Sequence, residues 1–166
     1  MQVIKYAFQQ HGDERGMLVA LEEQKDIPFE IKRVYYLYDT KTEVHRGFHA
    51  HKSLEQILIC IHGSCKVLLD NGTEKKVVSL EKPYEGLYVP NDMWREMYDF
   101  SEDAVLLVLA SDYYIEEDYI RDYKEFQQYK STVQKIPGGG GNCSQQTERA
   151  KRPPLRYREH FISTVQ

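Results

Sequence analysis

The tripeptide Asp70-Asn71-Gly72 stands between two β-prone runs, VLL and KKVVSL, and leaves the chain few options there. Asn and Gly tolerate the positive φ of a tight hairpin, so the two runs predict an antiparallel pair. The same grammar repeats from Val3 to Ala110, where short β-branched and aromatic segments are broken at His62-Gly63, Pro83 and Pro90. It predicts strands near 3–8, 17–22, 31–38, 46–51, 55–61, 64–70, 74–79, 86–89, 94–98 and 104–110. Many short strands separated by turn residues form a sandwich or a barrel.

After Ser111-Asp112, read as a helix cap, the segment YYIEEDYIRDYKEFQQY spaces Ile115, Tyr119, Ile120, Tyr123 and Phe126 as one helical face. One C-terminal amphipathic helix is therefore expected to close the domain. The character changes near Lys130: four glycines, Gly138 to Gly141, precede Pro153-Pro154 and a basic stretch. Residues 131–166 carry a charge of +4 in a chain whose total is -4. The organisation expected is one domain over 1–130 and a flexible basic tail over 131–166.

A hydrophobic fraction of 41% in 166 residues is enough for one core. Thirteen tyrosines against one tryptophan give rings that suit strands and polar pockets alike. The net negative charge argues against non-specific nucleic-acid binding, which needs Lys and Arg to neutralise phosphates. Cys60, Cys65 and Cys143 lack CxxC spacing, and the first two fall in apolar runs, so buried free thiols are expected rather than zinc or disulfides. No window reaches the roughly 20 apolar residues of a membrane helix, and the start lacks a signal-peptide core. A cytoplasmic protein without membrane or nucleic-acid partners is expected.

The chemistry concentrates in Arg46-Gly47-Phe48-His49-Ala50-His51-Lys52-Ser53-Leu54-Glu55-Gln56. Residues two apart on a strand share a face, so His49 and His51 project together into one pocket. Two same-face histidines in a β protein raise the question of a metal. The pattern HxHxxxE before a glycine resembles the first motif of the cupin superfamily, and Gly86-Leu-Tyr-Val-Pro90-Asn-Asp-Met-Trp-Arg95 resembles its second. Metal-binding cupins place a further histidine ligand where this chain has Arg95. A guanidinium has no lone pair to donate and repels a divalent cation. The site therefore reads as rebuilt for an anion or a carbonyl oxygen.

Four longer blocks, IPFEIKRVYYLYD, RGFHAHKSLEQILICIHGSCKVLLDNG, GLYVPNDMWREMYDF and VLLVLASDYYIEEDYIRDYKEF, resemble the sugar 3,4-ketoisomerases acting on dTDP-4-keto-6-deoxyglucose. The resemblance covers about residues 1–130. It implies an all-β cupin jelly-roll β-barrel, a homodimer with exchanged strands, and a dTDP-sugar substrate. It also implies a role in making 3-amino-3,6-dideoxyhexoses for bacterial surface polysaccharide such as O-antigen or S-layer glycan. No redox cofactor or metal is required, because the hydrogen on C3 is acidified by the neighbouring C4 carbonyl and passes through an enediol(ate). His49 and His51 are implied to divide the proton transfers, for which imidazole, with a pKa of about 6.5, is suited.

An enediolate needs fixed donors, for which Arg95 and then Tyr35 are the candidates. Arg33 shares a strand face with Tyr35, and a diphosphate favours guanidinium forks, so Arg33, Arg46, Arg15 and Arg121 are candidate substrate contacts. Glu55, a ligand in metal cupins, is read as orienting a histidine, and Trp94 as packing. Arg15 in DERGMLVALEE resembles the branch giving the galacto product; Arg95 departs from the histidine also seen in that branch. A cupin epimerase that inverts a centre without moving the carbonyl, and a non-catalytic sugar-binding cupin, remain as alternatives.

Overall fold

The structure is a computed structural model, and it describes residues 1–133. Of the expected basic tail over 131–166, residues 131–133 are the end of a helix; the rest of it, with Cys143, lies outside the described residues. Twelve strands form in chain order: β1 (Ile4–Ala7), β2 (Gln10–Asp13), β3 (Gly16–Val19), β4 (Arg33–Leu37), β5 (Arg46–His51), β6 (Gln56–His62), β7 (Cys65–Asp70), β8 (Lys75–Leu80), β9 (Glu85–Val89), β10 (Trp94–Tyr98), β11 (Val105–Ala110) and β12 (Tyr119–Ile120). One helix, α1 (Tyr123–Val133), follows. The strands make two five-stranded sheets, ordered β1-β9-β6-β11-β4 and β12-β5-β10-β7-β8, with β2-β3 as a separate hairpin. The predicted all-β jelly-roll class holds, although the sheets face one another rather than closing into one hydrogen-bonded barrel.

Alternation along the strands divides the apolar residues into three groups. Leu58, Cys60, Val67, Leu69, Leu87, Val89, Met97, Leu106 and Val108 fill the space between the sheets. The opposite parity of β6 and β11, Ile57, Ile59 and Leu109, packs under Phe8, Ile27 and Phe29. This double cover explains why Gln56–Cys60 reads as an almost unbroken apolar run: both faces are buried. On the other sheet, Ala50 and Trp94 are covered by Ile120 and by Phe126 of α1.

The predicted turns form where expected, with Gly72 at φ +93° and Gly63 at φ +69°. Cys60 and Cys65 are buried free thiols. The helix differs from expectation. Of the segment read as helical, Glu116–Asp118 is a 3-10 turn and Tyr119–Ile120 is β12, paired with His51 and Ala50 of β5. Asp122, not Asp112, caps α1, its Oδ1 accepting from the Glu125 N–H at 2.9 Å. The reason is the pairing with β5: adjacent Tyr119 and Ile120 turn to opposite faces of the sheet, one toward the histidines and one under α1.

Candidate active site

Strand β5 is not regular where it carries the histidines. Arg46 lies opposite Met97 and Gly47 opposite Glu96, but Arg95 pairs with His49, leaving Phe48 without a partner in β10. This is a β-bulge, and it changes which parity of the strand faces inward, because directly opposite residues share a face. Met97 and Arg95 both point between the sheets, so the extra residue brings His49 and His51 inward and sends Ala50 out beneath α1. The bulge needs left-handed backbone, with Gly47 at φ +96° and Phe48 at φ +53°. A Cβ on residue 47 would sit 2.6 Å from the Arg95 carbonyl oxygen.

The two imidazoles lie with ring centroids 5.0 Å apart, nearly perpendicular. His49 Nδ1 is 2.9 Å from the Gly47 carbonyl oxygen, and His51 Nδ1 is 2.9 Å from Asp118 Oδ2. Both partners only accept, so in each neutral ring Nδ1 carries the hydrogen and Nε2 keeps its lone pair. Asp118 is itself fixed by the Ser53 N–H, which donates to Oδ1 at 2.8 Å. His51 is fully buried and its Nε2 has no partner among the described residues.

Arg95 supplies the charge. It is 1% exposed, and its Nε and both Nη atoms have no hydrogen-bond partner among the described residues. Burial brings its pKa down to about 10, against the pull of Tyr35, Tyr119 and Asp118, so it stays protonated at neutral pH. An uncompensated buried charge costs on the order of 3–5 kcal/mol, so its retention in the interior points to an anionic or carbonyl ligand. Burial, then the field of Arg95, lowers His49 to about 4. The same two causes, with His49 and Arg33 adding, lower His51 to about 2. Both rings are therefore neutral at physiological pH, and the His51–Asp118 contact is a hydrogen bond to a carboxylate rather than an ion pair.

From the facing sheet, β4 contributes Arg33 and Tyr35 and β6 contributes Gln56. Gln56 Nε2 donates to the Tyr35 hydroxyl at 2.8 Å, and burial raises the phenol's pKa. The Arg33 guanidinium lies 5.2 Å from the Tyr35 ring centre and 5.8 Å from that of Tyr114. Arg121 lies 4.2 Å over the ring of Tyr119, which stands 4.2 Å from His51 and 5.1 Å from His49.

The structure thus gathers His49, His51, Arg95 and Tyr35 between the sheets, with Arg33 and Arg121 beside them. Arg15 does not join them: it is exposed at the tip of the β2-β3 hairpin and paired with Asp13. Arg46 is exposed at the start of β5. Glu55 does not orient a histidine; it accepts from the Tyr88 hydroxyl, and Asp118 takes the orienting place. Trp94 packs on Phe126 as expected, its Nε1 donating to Glu96 at 3.0 Å. Sequence reasoning missed Asp118, Tyr119 and Gln56. The signal for Gln56 was present, as the polar residue opening a buried apolar strand. That for Asp118 and Tyr119 was hidden by spacing that also fits a helix.

The FdtA family, described as WxcM-like, C-terminal, matches residues 1–131. A TDP-4-oxo-6-deoxy-alpha-D-glucose-3,4-oxoisomerase of Aneurinibacillus thermoaerophilus is 58% identical over 121 residues, covering 73% of this chain and 87% of the relative. The crystal structure of a 3,4-ketoisomerase from Helicobacter canadensis is 52% identical, with a TM-score of 0.77, over 79% of this chain and 98% of that one. A mutant of the 3,4-ketoisomerase QdtA from Thermoanaerobacterium thermosaccharolyticum, in complex with TDP-4-keto-6-deoxyglucose, is 45% identical. Its TM-score is 0.77, over 78% of this chain and 94% of that one.

Proposed function

This chain belongs to the FdtA family of sugar 3,4-ketoisomerases, and we propose that it converts dTDP-4-keto-6-deoxyglucose to the 3-keto isomer through an enediol(ate). The observation that carries the reading is the pairing of two neutral imidazoles, each with Nε2 free, with the buried unpaired guanidinium of Arg95. One imidazole takes the proton from C3, which the C4 carbonyl acidifies. The negative charge gathers on the C4 oxygen, where Arg95 and the Tyr35 hydroxyl stabilise it. A proton returns to C4, the C3 hydroxyl gives up its proton, and the C4 oxygen gains one. The balance is zero: one proton leaves and one arrives at carbon, and the same at oxygen. His49 and His51 divide these transfers.

Arg33 and Arg121, beside the chamber, are positioned to take the diphosphate. Arg15 and Arg46 serve the substrate only if a second subunit brings them to the site. That accords with a homodimer of exchanged strands, for which β4 stands at a sheet edge among the described residues, with Val34 and Tyr36 exposed and Tyr38 exposed just beyond it. Sedimentation velocity of the full chain checks the dimer. In this reading the enzyme works in the cytoplasm, in the supply of 3-amino-3,6-dideoxyhexoses for surface polysaccharide. No helix among the described residues is long and apolar enough to cross a membrane. The reading needs no metal, since Arg95 stands where metal-binding cupins have a ligand and Glu55 accepts from Tyr88, and no redox cofactor, since moving a carbonyl between neighbouring carbons is redox-neutral. Prolonged chelation leaves turnover unchanged; loss restored by one divalent ion refutes this.

The product has the galacto configuration at C4, a reading supported by Arg15 in its sequence block. Incubation with dTDP-4-keto-6-deoxyglucose in deuterium oxide tests the whole reading. NMR is expected to show the carbonyl at C3 and deuterium at C4 in the galacto position. A carbonyl still at C4 with an inverted neighbouring centre makes the protein an epimerase, and binding without exchange makes it a sugar-binding protein.

A further inference from the structure

Two of the reacting groups are shut away, while His49 and Tyr35 are half-buried. His51 is 0% and Arg95 1% exposed, and neither His51 Nε2 nor the Arg95 nitrogens offer surface to solvent. A sugar reaches them only after something moves. The group standing over both histidines is Tyr119, on a strand only two residues long. Arg121 lies on the ring at 4.2 Å and the exposed Tyr114 ring packs at 5.4 Å. Arg121 is held there by Glu116 through two bonds, Nε to Oε1 at 2.9 Å and Nη2 to Oε2 at 3.0 Å. The Tyr114 hydroxyl donates to the same carboxylate. One exposed carboxylate thus holds both groups that back Tyr119.

We propose that Tyr119 is the gate of the chamber and that the Glu116–Arg121 pair is its latch, released when a diphosphate takes Arg121 from Glu116. The exchange favours the ligand: a diphosphate offers more charge and more acceptor oxygens to the guanidinium fork than one carboxylate. With Arg121 and Tyr114 freed, little holds Tyr119, because exposed ion pairs and a two-residue strand open at low cost. The substrate class follows. A keto sugar carrying a diphosphate opens the chamber for its own ring, whereas a free keto sugar of the same ring chemistry meets it closed. The enzyme selects for the activated sugar by conformation as well as by contact. This rests on Arg121 as a diphosphate contact.

The test measures access to His51 without turnover. Diethylpyrocarbonate acylates neutral imidazole, and peptide mass spectrometry of the full-length protein separates the histidines, with exposed His11 and His62 as references. In the wild type His51 is expected to react at least about tenfold more slowly than His62, through shielding and not protonation. Tyr119→Ala brings the two rates together, and Glu116→Gln speeds His51 in the absence of ligand. Sodium pyrophosphate, at fixed ionic strength, speeds His51 in the wild type and has no effect in Arg121→Gln. Equal rates for His51 and His62 in the wild type, or protection that survives Tyr119→Ala, overturn the gate. Pyrophosphate that fails to speed His51 overturns the latch, and this arm needs no variant to fold. Failure of the isomerase reading would appear only in the NMR of the product, so the two are separable.

Discussion

His49 and His51 share a pocket but are held by different things, one by its own strand's backbone and the other by a carboxylate far along the chain. Either substitution to Asn is expected to lower turnover by at least about a hundredfold, the usual scale for a positioned acid or base. Folding should survive in both, checked by circular dichroism alongside the NMR assay. Their depressed pKa values fix the pH dependence. Catalysis needs neutral imidazoles, which persist above about 4, and a charged guanidinium, which persists below about 10. The pH profile of kcat should therefore be flat through neutrality, with no acid limb near 6.5. A limb there, measured at saturating substrate, would mean that the rings titrate as exposed histidines do.

At the scale of the element, the bulge in β5 decides more than any single contact, since it sets which way the histidines face. Gly47→Ala puts a methyl against the Arg95 carbonyl and into a φ of +96°, so a loss of melting temperature and of turnover is expected. Calorimetry and the NMR assay read the two effects separately. The sequence made the two histidines' common face legible, because a spacing of two survives a bulge that lies outside the pair. It did not reveal the bulge itself: Gly47 reads as an ordinary weak strand position, and Phe48 gives no hint of positive φ. Arg33 and Tyr35 were legible for the same reason as the histidines, their strand being regular. The failure at 113–122 has another origin. Ile115, Tyr119 and Ile120 satisfy a helical period, yet Tyr119, half-buried, and Ile120, buried, lie on opposite faces, a requirement set by β5 and invisible locally.

For the whole molecule, the buried neutral histidines link the chamber to stability. The folded state lowers both pKa values below the unfolded 6.5, so an unfolded chain binds protons that the folded one refuses. Their contribution is fully present above pH 6.5 and is lost as pH falls, toward about 4 for His49 and on toward about 2 for His51. Urea midpoints should decline through that window, and His49→Asn should flatten the decline. One consequence of the sheet order concerns time rather than structure. Strand β6 is hydrogen-bonded on both edges, to β9 and β11, and covered on both faces, whereas β12 leans on β5 alone. Amide deuterium exchange in β6 is then expected only through global opening, while the amides of Tyr119 and Ile120 exchange through small local excursions. The chemistry is thus assembled along a seam between slow and fast backbone, and the fast side is the one a ligand would quieten.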